Sequence, residues 1–423
     1  MSSDPASSVR ALIESGGLRS VYQPIVRLDG EEVVAVEALA RGPVGTALES
    51  PVALFAAAAA AGLEAELDWA CRAAAVEGAL RAGLPRSCRL FINAEPRTFG
   101  TDPPARHRSI LQRGADELSI VMEVTERAIA ADPAALFRAL DQVRSLGLGV
   151  AIDDVGAEPA SLGLMPFIRP DVIKLDMALV CKPTDPATAA LAAAVRSDAE
   201  RRGALVLAEG IETDEHLQRA LVLGADLGQG WSFGRPVALE RSGYEADRPI
   251  GLTARGASAA TTPWSLVADS PRRRTTTKSL LMAISHHLEA LGSDPDTVVL
   301  GAFQHVRHFT PATARRYRAM AERSVFVGAV GVDMPEEPAP GVRGARIDRT
   351  HPIAGEWTVI VIGPHRAAAL IALDAGDQGD DQDRRFHYVI THDRDVVIDA
   401  AMSLMRLVVP VAAAGTERLG VAA

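Results

Sequence analysis

Cysteine is scarce in this sequence. Cys71, Cys88 and Cys181 are the full set in 423 residues, and they lie far apart with no Cys-x-x-Cys spacing. A disulfide framework or a zinc ribbon is therefore not expected, and a reducing cytoplasm is the location that fits. Basic charge is short as well: 44 Lys and Arg face 54 Asp and Glu, leaving −10 at pH 7. A sequence-blind grip on nucleic acid needs a basic surface, so direct DNA binding is not expected. A local basic pocket for a phosphate ligand remains compatible with that balance. Long apolar runs are missing too. The longest, Pro51 to Leu63, is Ala-rich, stops at Glu64 and falls short of the ~20 residues that span a bilayer. Met1-Ser2-Ser3-Asp4-Pro5 lacks the charged-then-apolar order of a signal peptide. A soluble protein without membrane contact is the expectation.

The sequence is 48% hydrophobic and 23% charged, near globular averages, so wholesale disorder is excluded. Its length exceeds one ordinary core and predicts two domains. Ser20–Val26 and Glu32–Glu37 read as strands around Asp29-Gly30, a pair suited to a tight hairpin, so the first two strands should be antiparallel. Five further apolar strands follow: Arg89–Asn93, Ser119–Val124, Gly149–Ile152, Val172–Leu175 and Leu205–Ala208. Between them lie helical stretches, Val52–Arg81, Pro133–Leu146, Pro186–Arg202 and Asp214–Leu223. Such alternation predicts parallel strands with covering helices, in a barrel or an open sheet, and the length suits a barrel.

From about Arg248 to Lys278 the residues become small, polar and unpatterned, and Arg272-Arg273-Arg274 reads as a solvated charge run. The expected organisation is a barrel over 1–245, a linker over 246–277, a smaller mixed α/β unit over 278–410 and a tail over 411–423. In that second unit, helices are expected at Ser279–Leu288 and Asp395–Val408, with strands at Phe326–Val330 and Trp357–Ile362. His286, His287, His305 and His308 show no regular ligand spacing and read as surface or packing histidines. Trp357 reads as a core aromatic rather than the mark of a ligand pocket. Asp374 to Asp383 lacks the glutamate that closes a calcium loop and reads as an acidic hairpin.

Polar residues recur at or just past the strand ends: Glu37, Asn93, Glu123, Asp153 with Asp154, Lys174, Glu209 and Gln229. In a parallel barrel those ends converge on one mouth, where catalytic groups sit. One strand-end acid is more often a helix cap or a solvated loop residue; a series in register is harder to explain that way. Five carboxylates together are costly, since like charges ~4 Å apart repel by about 4 kcal/mol at an effective dielectric near 20. Lys174 alone cannot balance five acids, whereas divalent cations with oxygen ligands can. Asn93 adds a neutral oxygen, and Asp153-Asp154 suits two ions ~3.5–4 Å apart, an arrangement that cleaves phosphodiesters.

These residues resemble the EAL family of cyclic di-GMP phosphodiesterases. Val36-Glu37-Ala38-Leu39-Ala40-Arg41 resembles its naming motif, Tyr22-Gln23-Pro24-Ile25 the strand before it, and Phe91-Ile92-Asn93 its asparagine strand. Glu123-Val124-Thr125-Glu126, Asp153-Asp154-Val155-Gly156 and Ile173-Lys174-Leu175-Asp176 follow in order. Ala208-Glu209-Gly210-Ile211-Glu212 and Gln229-Gly230-Trp231-Ser232-Phe233-Gly234-Arg235-Pro236 complete the set, within about 18–240.

The resemblance implies a modified (β/α)8 TIM-like barrel with an antiparallel first strand, hydrolysing cyclic di-GMP to linear pGpG with Mg²⁺ or Mn²⁺. It implies Glu37, Asn93, Glu123, Asp153 and Asp154 as metal ligands, with Asp153 bridging two ions. Lys174 and Glu209 would orient the attacking water with support from Gln229. Gln23, Leu39, Arg41, Gln229 and Pro236 would meet the substrate, Glu126 would steady the loop after Asp154, and a homodimer is the default. Two departures stand out. Glu158 and Pro159 replace a glycine and an aromatic in the loop after Asp154, and Gly42 replaces a frequent tryptophan. The altered loop motivates a second reading, a weak or inactive module that acts as a cyclic di-GMP receptor or docks a protein. A third is an unrelated barrel hydrolase acting on another phosphodiester.

The C-terminal unit is similar to DICT sensory domains. Ala302-Phe303-Gln304, Phe309-Thr310, Arg316-Tyr317, Gly355-Glu356-Trp357, Arg384-Arg385-Phe386 and Thr391-His392-Asp393-Arg394 carry the likeness over about 276–408. It implies a regulatory input for an unidentified signal or protein partner.

Overall fold

The computed structural model describes residues 5–95, 98, 101–125, 132–157, 161–240, 243–252, 261–377 and 383–408. Contacts divide the chain into two units, 1–126 with 138–257, and 127–137 with 258–423. Among the described residues no helix is long and apolar enough to cross a membrane.

The first unit is a closed eight-stranded barrel. Its strands are β1 (Arg19–Arg27), β2 (Val33–Arg41), β3 (Arg89–Asn93), β4 (Ile120–Thr125), β5 (Gly149–Val155), β6 (Val172–Leu175), β7 (Leu205–Ala208) and β8 (Leu227–Gln229). β1 runs antiparallel to both β2 and β8, and the other neighbours pair in parallel. The expected modified TIM-like barrel is therefore the fold. The chain reverses through Asp29-Gly30 and Glu31, whose φ of 55° is left-handed and whose N–H donates to Arg27 O at 2.8 Å.

Every strand sends an apolar side chain into one fully buried layer: Ile25, Ala35, Phe91, Val121, Ala151, Val172, Leu207 and Leu227. The layer plugs the barrel, as bulky residues do in this architecture. Ala246 and Ile250 join it, and Arg89 donates to Ile250 O from Nε and Nη2 at 3.0 and 2.7 Å. The stretch 246–277, read as a linker, thus begins by closing the barrel. Later it forms a short 3-10 turn, Trp264–Leu266, and a strand, Arg274–Thr277.

The expected helix Val52–Arg81 is two helices, Pro51–Ala61 and Glu64–Ala82. Gly62 separates them in a left-handed conformation, φ 64°, the usual glycine helix stop. Ser50 caps the first through its side chain, accepting from Ala53 N at 3.2 Å.

The second unit holds a seven-stranded mixed sheet built from β9 (Arg274–Thr277), β10 (Val298–His305), β11 (Phe326–Val332), β12 (Arg343–Ile347), β13 (Glu356–Ile362), β14 (Ala367–Asp374) and β15 (Arg385–Thr391). Their order is β12-β11-β10-β13-β14-β15-β9. β9 reaches the edge by pairing antiparallel with β15. Helices Lys278–Ala290 and Pro311–Ala321 bury Leu281, Leu288, Tyr317 and Met320 against alternate strand residues such as Val299, Val359 and Leu370. Successive strand residues face opposite ways, and helix Arg394–Met405 packs against β10, β13 and β14 without joining that cluster. It therefore covers the other face. The acidic hairpin between β14 and β15 forms, with 378–382 outside the described residues.

Candidate active site

The barrel's period of two decides which side chains reach the mouth. Two residues beyond Ala35, Phe91, Val121, Ala151, Val172, Leu207 and Leu227 of the plug stand Glu37, Asn93, Glu123, Asp153, Lys174, Glu209 and Gln229. On the antiparallel β1 the count runs backwards, from Ile25 to Gln23. Alternate residues share a face, so the apolar layer commits all eight to the same end of the barrel interior. The register agrees: Gln23 lies opposite Glu37, and Asn93 opposite Glu123.

Lys174 Nζ sits at the centre of the acids, 2.8 Å from Glu209 Oε1, 2.9 Å from Asp153 Oδ1, 3.1 Å from Glu123 Oε2 and 3.7 Å from Glu37 Oε2. Lys174 and Glu123 are each 1% exposed. Burial alone would lower the lysine pKa, but Glu123, Glu209, Glu37 and Asp153 outweigh it and hold the ammonium well above its ordinary value. Burial, with Glu37 next, pushes Glu123 well above the carboxylate range against the pull of Lys174. Burial likewise pushes Glu209 up to about 7, opposed by Lys174. Two amides tie down Glu37: Asn93 Nδ2 donates to Oε1 at 3.0 Å and Gln229 Nε2 to Oε2 at 2.7 Å. Gln229 Nε2 also donates to Gln23 Oε1 at 3.2 Å, and Gln23 Nε2 to Gly234 O at 3.2 Å.

Asp154 should point away from Asp153, because neighbours in a regular strand do. It does not. The register between β5 and β6 shifts between Ile152 and Val155, and Asp154 adopts φ 57°. This bulge re-aims the side chain, so that one oxygen from each of Asp153, Asp154 and Glu209 lies within 4.8 Å of the others. Among the described residues these three acids each bring an oxygen close enough to the others to share a metal ion. Glu123 Oε1 is buried and accepts no hydrogen bond. An orphaned buried carboxylate oxygen beside a set of hard oxygen donors suits Mg²⁺ or Mn²⁺.

A cavity of about 290 Å³ opens beside the acids, lined by Leu39, Arg41, Asn93, Glu123 and Asp153 among others. Arg41 is half-buried, with Nη1 donating to Ala40 O at 2.8 Å; burial, helped by Arg19, lowers its pKa. Gly42 has a physical reason: a Cβ there would stand 2.1 Å from Leu48 O. No side chain fits, so the missing tryptophan reflects a close backbone approach. Pro236 precedes Val237, which bridges Tyr22 on β1, and does not line this cavity. Glu126 and residues 158–160 lie outside the described residues.

Sequence reasoning missed Asp68 and Arg72, which also line this cavity. They form a buried ion pair on the helix after Gly62. Asp68 accepts from Glu95 N at 3.2 Å and from Thr98 Oγ1 at 2.7 Å, holding the backbone that leaves Asn93. An acid and an arginine four apart in an Ala-rich helix were the available signal.

A family model described as the EAL domain matches residues 6–236, more than half of the chain. The chain belongs to the EAL domain family. Residues 265–374 match a second model, described as the sensory domain in diguanylate cyclases and two-component systems, or DICT. Cyclic di-GMP phosphodiesterase RocR of Pseudomonas aeruginosa is 30% identical over 237 residues, 55% of this EAL chain and 60% of RocR. Cyclic di-GMP phosphodiesterase NbdA of the same organism is 29% identical over 238 residues, 55% of this chain and 30% of NbdA. The EAL protein thus spans less than two thirds of either relative. Among solved structures, a calcium and cyclic di-GMP complex of Klebsiella pneumoniae BlrP1 is 32% identical, covers 52% of this chain and 56% of BlrP1, and has a TM-score of 0.47.

Proposed function

We propose that the barrel hydrolyses cyclic di-GMP to linear pGpG with two divalent cations, Mg²⁺ or Mn²⁺, and that the C-terminal domain regulates it. The carrying observation is the ring of Glu37, Glu123, Asp153 and Glu209 around Lys174, with Asp154 turned to join it. The relatives RocR and NbdA are named cyclic di-GMP phosphodiesterases, which supports the substrate.

Glu37, Asn93, Glu123, Asp153 and Asp154 are the ligand set. Bound there, the ions supply an activated water and neutralise charge at the leaving oxygen. The residues of this chain do the rest. Glu209, held 2.8 Å from Lys174 Nζ, is placed to take a proton from the attacking water. Lys174 donates to that water and holds Glu209 in place. Gln229 and Asn93 keep Glu37 oriented, so the metal-facing oxygens are set before substrate arrives. Arg41 offers a planar fork to a substrate phosphate, and Leu39 lines the same cavity. Gln23 and Pro236 complete the nucleotide contacts, Glu126 steadies the loop after Asp154, and the working form is a homodimer.

Purified full-length protein incubated with cyclic di-GMP and Mn²⁺ should form pGpG, and Glu209→Gln should abolish turnover while the variant still binds nucleotide. A well-folded sample that forms no pGpG defeats the proposal. Glu158 and Pro159 favour one competing reading, a receptor without turnover. Calorimetry that detects nucleotide binding in such an inactive sample would establish it.

A further inference from the structure

The DICT unit contains a cavity of its own, about 350 Å³, between its sheet and the two helices on the clustered face. Its sheet wall is aromatic, made by Phe303, Trp357 and Phe386. Trp357 and Phe386 meet edge to face with ring centroids 5.5 Å apart, and Trp357, at 9% exposed, shows the cavity more of its ring than Phe386 at 1%. Facing it, Lys278, Arg307 and Arg316 bring three cations, with Glu289 as the one acid in the lining. Arg316 Nε donates to Glu289 Oε2 at 2.7 Å, and Glu289 is 4% exposed. That pair fixes the guanidinium within the lining.

The end of β10 is distorted at the same place. Gln304 lines the cavity with φ 57°, where the register with β11 shifts between Ala302 and His305. Its Nε2 donates to Gly355 O at 3.2 Å, and its Oε1 accepts from Arg384 Nη2 at 3.4 Å. A non-glycine residue held left-handed is strained, and such strain gathers at ligand sites. An apolar cavity with a few convergent polar groups is the ordinary form of a small-molecule site, and 350 Å³ lies at the small end of the usual ~300–1,000 Å³.

We propose that this cavity is the signal-binding site of the sensory domain, and that its ligand is a small planar aromatic anion. The ring packs against the exposed edge of Trp357, as aromatic pairs do, and its acid group meets Lys278 and Arg316. This assignment is independent of turnover in the barrel, because its readout is binding alone.

Calorimetry on the full-length protein tests it with three ring acids, benzoate, indole-3-carboxylate and quinoline-2-carboxylate, each beside its uncharged carboxamide. At least one acid should bind saturably, at least tenfold tighter than its amide. Lys278→Gln should weaken the acid about tenfold and leave the amide unchanged, whereas Trp357→Leu should weaken both. Saturable binding by none of the three acids overturns the proposal. So does an acid that binds Lys278→Gln as tightly as the parent protein, a variant of a helix-surface residue that keeps the core intact.

Discussion

Replacing Lys174 by methionine separates the roles of charge and packing in the barrel mouth. Methionine roughly conserves the buried volume but removes the cation that lies within 3.7 Å of four carboxylates. At an effective dielectric near 20, a charge pair ~4 Å apart is worth about 4 kcal/mol. The lysine also pays several kcal/mol for leaving water, so the gain is not the sum of its pairs. Deleting one partner of a buried ion pair typically costs about 3–5 kcal/mol. At about 2–4 °C per kcal/mol for a unit of this size, the metal-free variant should melt roughly 10 °C below the parent. Mn²⁺ should then narrow the gap, because the uncompensated acids bind it more tightly. A ligand at a hundredfold excess over its dissociation constant adds about 2.7 kcal/mol. Differential scanning calorimetry in EDTA and in excess Mn²⁺ reads both effects. A metal-free variant that melts within 2 °C of the parent, or equal Mn²⁺ shifts in the two proteins, refutes the reasoning.

Asp153→Asn should reduce the rise in melting temperature that Mn²⁺ produces, and thermal scans at several Mn²⁺ concentrations check it. Gly42→Ala sets a methyl against Leu48 O and should cost about 1–3 kcal/mol, as overpacking does, read by urea unfolding. In the DICT unit, burial pushes Glu356 up to about 7, against hydrogen bonds from Thr262 and Trp264 N. A carboxyl whose folded pKa exceeds its unfolded value stabilises fully below the unfolded pKa and loses that contribution as pH rises through the folded one. The DICT transition should therefore weaken between about pH 4.5 and 7 by about 3 kcal/mol. Glu356→Gln should flatten that slope in melts across the pH range.

The ring of polar strand ends was legible because burial repeats every second residue along a strand. Once Phe91, Val121 and Val172 read as interior, Asn93, Glu123 and Lys174 had to share their side. Asp154 was legible only as a neighbour of Asp153. Its turn toward the site depends on a left-handed φ, which an aspartate does not announce. The break at Gly62 was hidden by alanines, whose helix propensity runs on both sides of it. Strand Arg274–Thr277 was missed because its partner, β15, lies more than a hundred residues away. Four polar residues become a strand only by that pairing, which local propensity does not report. The sensory cavity escaped for a similar reason: Lys278, Arg316 and Trp357 converge through the fold, and each alone reads as surface or core.

Titrating metal-free full-length protein with Mn²⁺, while counting bound ions by calorimetry and pGpG by chromatography in the same samples, tests the central claim most directly. Turnover of cyclic di-GMP should be absent in EDTA, rise with bound Mn²⁺ and level off at two ions per chain. Full turnover in EDTA, or two bound ions with no pGpG, contradicts the account.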